Sequence, residues 1–197
     1  MSMKVGITGG IGSGKTFVCK IFENLGVPVF YADDEAKRIM VEDADVKKGL
    51  MALLGRSAYR GGILDRAYVA SKVFRDKELL EGMNAIIHPA VHRVFHDWAE
   101  SQRDVPYVIE EAALLFESGA SDRLDTIVEV YASADTRIRR VCERDGVDEA
   151  MVRDRMKHQM DEEEKRRLAD HVILNDGNEI LLPQVVELHA MFIKGDR

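Results

Sequence analysis

Short apolar runs alternate along this chain with longer stretches in which apolar residues recur every three or four positions. The short runs are residues 4–8, 27–32, 105–110, 126–131 and 171–175, and several are apolar nearly throughout. A strand that is apolar on both faces belongs in a sheet covered on both sides, so these runs predict buried parallel strands. Between them the period lengthens. Val18, Ile21, Phe22 and Leu25 stand at i, i+3, i+4 and i+7 and give the first helix a stripe to bury. Ile138, Val141 and Cys142 make a similar stripe, with Arg137, Arg140 and Arg144 together on the opposite face. In residues 161–167 acids precede bases, the order a helix macrodipole favours. Strands alternating with helices predict an α/β fold around a parallel sheet.

One interval breaks the alternation. Residues 34–102 are helical in pattern almost throughout, with predicted helices over 34–41, 46–54, 67–74, 77–87 and 90–101. A single βα crossover needs far less chain. The interval reads as a helical insertion after the second strand, placed to cover a second substrate, or else as an elaborate crossover.

Composition narrows the class. With 197 residues, 46% of them hydrophobic and 32% charged, the chain has the length and balance of one folded domain with insertions. The longest stretch without Asp, Glu, Lys or Arg runs only from Gly82 to His92, too short to span a bilayer, so no membrane partner is expected. The N-terminus lacks the apolar core of a secretion signal, and a cytoplasmic enzyme or switch is the expectation. Cys19 and Cys142 make no disulfide framework and no metal quartet; both sit at helical apolar positions and read as small buried hydrophobes. A net charge of −7 argues against nucleic acid as a partner. A monomer is favoured over an oligomer.

The chemistry begins at Gly9-Gly-Ile-Gly-Ser-Gly-Lys-Thr16, which satisfies G-x-x-x-x-G-K-[ST] between an apolar strand and an amphipathic helix. Its glycines let backbone N–H groups approach phosphate oxygens, and a helix starting near Gly14 adds its positive end. The expected nucleotide contacts are Gly10, Ile11, Gly12, Ser13, Gly14, Lys15, Thr16 and Phe17. Lys15 reaches the β- and γ-phosphates and the Thr16 hydroxyl ligates Mg²⁺. ATP and Mg²⁺ are therefore the expected cofactors. No Asp-x-x-Gly and no Asn-Lys-x-Asp occurs, which counts against a GTPase switch. A further carboxylate belongs at the end of a neighbouring strand to hold the metal; Glu110 and Glu111 both stand there, alternation lets only one face the phosphates, and Glu111 is the choice. The second strand ends in Tyr31-Ala-Asp-Asp34, at the same rim of a parallel sheet. Asp33 there can orient an attacking hydroxyl and take its proton, although Asp33 and Asp34 also look like a helix N-cap pair.

These residues carry a resemblance to the dephospho-CoA kinase family along essentially the whole chain. Thr8–Thr16 is similar to that family's T-G-G-I-G-S-G-K-[ST], and Ala32-Asp33-Asp34-Glu35-Ala36-Lys37 resembles the later part of its D-A-D-x-x-A-[RK]. Leu64-Asp65-Arg66 with Val73-Phe74, then Asn84-Ala-Ile-Ile-His-Pro89, then Leu114-Leu115-Phe116-Glu117 follow in the family's order. Arg140, Arg144-Asp145, Arg155, Gln159, Ala169-Asp170, Ile173, Asn175 and Gly177 complete the match.

The resemblance implies a P-loop NTPase three-layer fold with a parallel central sheet, a helical acceptor-binding insertion and a helical lid. The core would comprise residues 1–33, 103–135 and 165–197, the insertion 34–102 and the lid 136–164. The implied reaction moves the γ-phosphate of ATP to the ribose 3′-hydroxyl of dephospho-CoA, the last step of coenzyme A biosynthesis. Asp33 is then the candidate base, with Lys15 and Arg140 as catalytic cations. Arg140 and Asn175 lie against the nucleotide, and Asp33, His88, Leu115, Phe116 and Glu117 meet the acceptor. His88 could equally shape the entry of a helix at Pro89. Tyr31 stands where the family pattern has Asp, with Asp34 available to compensate; Glu111 replaces an Asp, and Ala113 a proline that would stiffen the loop. A kinase of another small acceptor, such as a nucleoside monophosphate, and a switch without phosphotransfer are the alternatives.

Overall fold

Val5 and Ile7 are wholly buried, and so are the intervening Gly6 and the following Thr8, so the first strand is covered on both faces. It is the middle of a sheet in a computed structural model that describes residues 2–74 and 76–195. The chain runs through β1 (Met3–Thr8), α1 (Lys15–Asn24) and β2 (Val29–Tyr31). Next come α2 (Ala32–Glu42), α3 (Ala44–Leu54), β3 (Tyr59–Arg60), β4 (Ile63–Leu64), α4 (Arg66–Val73) and α5 (Lys77–Ser101). Then follow β5 (Tyr107–Glu111), β6 (Thr126–Tyr131), α6 (Ala134–Asp145), α7 (Glu149–Met156), α8 (Glu162–Leu168), β7 (His171–Leu174) and α9 (Leu181–Ile193). Contacts divide the chain into two units, one of residues up to Tyr31 together with those from Trp98 on, the other Ala32–Asp97.

The first unit is built on a five-stranded sheet in the order β2-β5-β1-β6-β7, parallel throughout. On one face, Val18, Cys19 and Phe22 of α1 and Val185 and Phe192 of α9 pack against Val5, Ile7, Ile109, Val128, Val130 and Ile173. On the other, a Cβ at Gly6 would come 2.6 Å from Leu124 and 2.9 Å from Leu115, so the strand must be bare there for the next layer to seat. Trp98 stacks on Phe30 at 5.3 Å, and α8 packs on β6. The expected α/β three-layer fold with a parallel sheet is the one observed. Leu25, expected in the α1 stripe, instead caps the helix and is partly exposed, because the chain turns away at Gly26.

The second unit holds α2 to α4 and α5 as far as Asp97. Gly49 of α3 and Gly82 of α5 leave room for each helix to approach the other's branched side chains: a Cβ at Gly49 would stand 3.2 Å from Ile86, and one at Gly82 3.1 Å from Leu53. Two features differ from the pattern reading. The interval is not wholly helical, since Gly61 and Gly62, both at positive φ, make a two-residue turn between β3 and β4. And residues 77–101 form one helix rather than two. Pro89 removes an N–H from the ladder, but Ile87, Ala90, Val91 and Phe95 are all buried, and that burial outweighs one lost bond. His88 consequently lies inside α5 and enters no helix. Among the described residues no helix is long and apolar enough to cross a membrane.

The N-cap of α3 offers a direct check on this unit. The Asp43 carboxylate accepts from the backbone N–H groups of Asp45 and Val46 and pairs with Arg93 at 3.0 Å. Asp43→Ala is expected to lower stability by about 1 kcal/mol, read as a lower urea midpoint.

Candidate functional site

The turn after β1 is made by backbone conformation. Gly12 and Gly14 have φ of 81° and 97°, which side chains with a Cβ rarely adopt. Gly14 is also the N-cap of α1 and contributes no side-chain cap, so the first N–H groups of that helix face the turn with their share of the helix dipole. Lys15 folds back to donate to the Gly9 carbonyl at 2.8 Å. Ser13 is buried and its hydroxyl has no partner among the described residues, whereas Thr16 and Phe17 are exposed. A glycine-curved loop leading into a helix N-terminus, with a lysine folded back over it and a hydroxyl just beyond, is an arrangement suited to phosphate.

Strand alternation sorts the acids. Glu111 at the end of β5 shares the face of α1, and its carboxylate lies 3.9 Å from the Lys15 ammonium. Glu110 points to the opposite face and meets the Arg123 guanidinium at 2.5 Å; burial nonetheless pushes its carboxyl up to about 7. Tyr31 turns towards α1, with the Lys20 ammonium over its ring at 5.1 Å. Asp33 and Asp34 lie in the first turn of α2, where acids suit the helix dipole, and neither is the N-cap. The Asp34 side chain is 73% exposed and pairs with Lys37, one turn along the helix, at 2.7 Å.

The segment from α6 to β7 fastens onto the phosphate loop. Asn175 donates to the Ser13 carbonyl at 2.7 Å, and Arg140 reaches the same carbonyl at 3.4 Å and the Asn175 amide oxygen at 3.3 Å. Gln159 accepts from the Ile11 N–H at 2.9 Å and Glu162 from the Gly10 N–H at 3.0 Å. Arg137, Arg140 and Arg144 do not share one solvated face. Arg137 is buried 3.7 Å from Glu162, Arg140 meets the loop, and only Arg144 lies outside, paired with Asp145. Of the two cysteines, Cys19 is buried and Cys142 half-buried, and neither is in a disulfide.

Sequence reasoning missed a buried ionic group beneath α8. Lys165 is fully buried, donates to the Ala113 carbonyl at 3.1 Å and stands 3.2 Å from Glu117 and 3.8 Å from Glu162. Glu129 of β6 is also fully buried, and both its carboxylate oxygens lack a hydrogen-bond partner among the described residues. The pattern offered only an acid-then-base helix, which every exposed helix can show. Of the residues expected at the acceptor, His88 is half-buried within α5, Leu115 is wholly buried under β1, and Phe116 is half-buried. Leu115 thus serves the core, because Gly6 leaves a hollow that it fills. Glu117 accepts from the Met160 N–H at 2.7 Å in addition to its pairing with Lys165.

Comparison with known proteins adds identity to this geometry. A family model described as dephospho-CoA kinase matches residues 3–180. A dephospho-CoA kinase of Salinibacter ruber is 46% identical over 176 residues, 88% of each chain. One from Bacteroides fragilis is 39% identical over 190 residues, 96% of this chain and 93% of its own. A crystal structure from Thermus thermophilus superposes with a TM-score of 0.86 at 35% identity, covering 96% of both chains.

Glu129 gives a pH signature. Burial first, and Glu162 second, push its carboxyl up from 4.5 to about 8, against the pull of Lys165 and Arg166. Between those values the folded chain holds a proton that the unfolded chain has released, so stability falls as pH rises through this window. Glu110, raised to about 7, acts in the same sense. Glu129→Gln should therefore gain in urea midpoint relative to the unaltered protein on going from pH 6 to pH 9; an unchanged difference would contradict the assignment.

Proposed function

The chain belongs to the dephospho-CoA kinase family and phosphorylates dephospho-CoA, and from that premise we propose which of its residues carry the transfer. The reaction takes the γ-phosphoryl group of ATP to the ribose 3′-hydroxyl. A bond forms from the 3′-oxygen to phosphorus, the bond from phosphorus to the β–γ bridging oxygen breaks, and ADP leaves while the hydroxyl proton is taken up. In this reading Gly10, Ile11, Gly12, Ser13, Gly14, Lys15, Thr16 and Phe17 form the nucleotide site. The single observation carrying it is the loop itself: left-handed Gly12 and Gly14 curve it ahead of α1, and Lys15 folds back onto the Gly9 carbonyl beside Glu111. Phosphoryl transfer asks a protein mainly for positioning and for neutralising charge, and that is what these groups can supply.

Arg140 and Asn175 border the same loop, and a guanidinium there can pair with phosphate oxygens bidentately. In binding nucleotide, Arg140 would exchange its long contacts with Ser13 and Asn175 for charge-assisted ones. Asp33 orients the acceptor hydroxyl and takes its proton; supporting it is its place in the chain, two residues beyond the carboxyl end of β2. His88, Phe116 and Glu117 are read as acceptor contacts, whereas Leu115 supports that segment from beneath.

Thr16 and Glu111 fit a magnesium ion. Both offer hard oxygen atoms, and among the described residues no cluster of three or more His, Cys, Asp or Glu competes as a metal cage. A magnesium site that relies on one or two protein oxygens plus phosphate and water has this form. The ion, when bound, neutralises charge on the phosphates. The enzyme is read as cytoplasmic, in keeping with two cysteines that form no disulfide among the described residues, and a monomer suffices for the site as read.

The test offers the purified protein Mg·ATP with dephospho-CoA, with a panel of nucleoside monophosphates and with no acceptor, following ADP release and product mass. ADP formed with dephospho-CoA, alongside a product heavier by one phosphoryl group, is expected; turnover with a monophosphate instead would overturn the acceptor assignment. Asp33→Asn should lower kcat by about a hundredfold or more with little change in the KM for ATP. Lys15→Ala should lower turnover by about as much, whichever acceptor is offered.

A further inference from the structure

We propose that Lys165 is a positioning residue that couples the phosphate loop to the segment following β5, so that nucleotide and acceptor strengthen each other's binding. The inference rests on the functional reading above for which ligand each part receives. Its basis is a run of hydrogen bonds and longer ion pairs inside one unit. The Gly10 N–H donates to one oxygen of Glu162 at 3.0 Å. The other oxygen of Glu162 lies 3.8 Å from the Lys165 ammonium and 3.7 Å from Arg137. Lys165 in turn donates to the Ala113 carbonyl at 3.1 Å and stands 3.2 Å from Glu117. Gln159, just ahead of α8, holds the neighbouring Ile11 N–H, and Glu117 holds the Met160 N–H. The α8 region therefore grips the phosphate loop with one set of atoms and the segment after β5 with another.

A wholly buried lysine is rare, and a buried ion pair is weak as a source of stability, because apolar side chains of the same volume serve at least as well. What the ammonium supplies that they cannot is a fixed link between a carboxylate on one side and a main-chain carbonyl on the other. Gly10 makes the link tight. A Cβ there would collide with the Arg137 guanidinium and stand 2.6 Å from Glu162, so loop and α8 are in direct contact. An anion that settles the loop then settles Glu162, Lys165 and the Ala113–Glu117 backbone with it. Coupling of this kind is reciprocal.

Calorimetric titration of dephospho-CoA into the full chain, with and without a non-hydrolysable ATP analogue, measures the coupling. The unaltered protein should bind dephospho-CoA about fivefold or more tightly when the analogue is present. Lys165→Met should bring that ratio close to one while each ligand alone still binds, a split that general destabilisation would not produce. Should that variant not fold, Glu162→Gln combined with Lys165→Met removes both charges, leaves an acceptor for the Gly10 N–H, and should show the same lost ratio. A wild-type ratio retained in either variant, or a ratio of one in the unaltered protein, overturns the proposal alone. No binding of dephospho-CoA to the unaltered protein would overturn the functional reading as well.

Discussion

Arg140, Gln159, Glu162 and Asn175, from four places in the second half of the chain, are all fastened to the backbone of one turn, residues 9–16. The turn has few side chains with which to hold its own shape, and left-handed glycines give it curvature without rigidity. Rigidity comes from outside. Asn175 and Arg140 take the Ser13 carbonyl, Gln159 and Glu162 take the Ile11 and Gly10 N–H groups, and Lys15 closes on Gly9. A phosphate site must be formed before its ligand arrives if binding is not to be spent on ordering it. Here strands β1 and β7 and helix α8 do that ordering, which is why the site depends on the parallel sheet.

The same arrangement explains the distribution of charge. Acids and bases are buried on both sides of β1 and β6, where solvent cannot screen them. Glu111 offsets Lys15 on one face, while Glu110 with Arg123, and Glu162 with Arg137 and Lys165, do so on the other. Glu129 alone has no hydrogen-bond partner for its oxygens among the described residues, and burial raises its carboxyl accordingly. The phosphate loop thus lies among fixed buried charges, most of them tied to the main chain or to another side chain.

Much of this was legible in the residues. The strand runs, the phosphate-binding motif and the family's ordered motifs predicted the α/β fold, the parallel sheet and the activity, because periodicity and glycine spacing are local properties of sequence. What was not legible depended on three-dimensional neighbours. Pro89 reads as a break, yet α5 continues through it, since burial on either side is invisible in the local pattern. Gly61-Gly62 did carry a hairpin signal, but the flanking strands are only two residues each and were lost among helices. Arg137 and Lys165 look like ordinary helix-surface bases; only α8 lying against the phosphate loop and β6 makes them interior. Leu115 sits within an acceptor motif and turns out to fill the hollow at Gly6.

On this reading the phosphate loop delivers a γ-phosphoryl group to a sugar hydroxyl and not to water. Turnover of ATP carrying ¹⁸O on its γ-phosphate, in the presence of dephospho-CoA, tests it most directly by showing where the label goes. The label should appear in a phosphomonoester on the ribose 3′-oxygen of the product, with almost none in inorganic phosphate. Label recovered chiefly as inorganic phosphate, or on any other oxygen of the acceptor, would contradict the account.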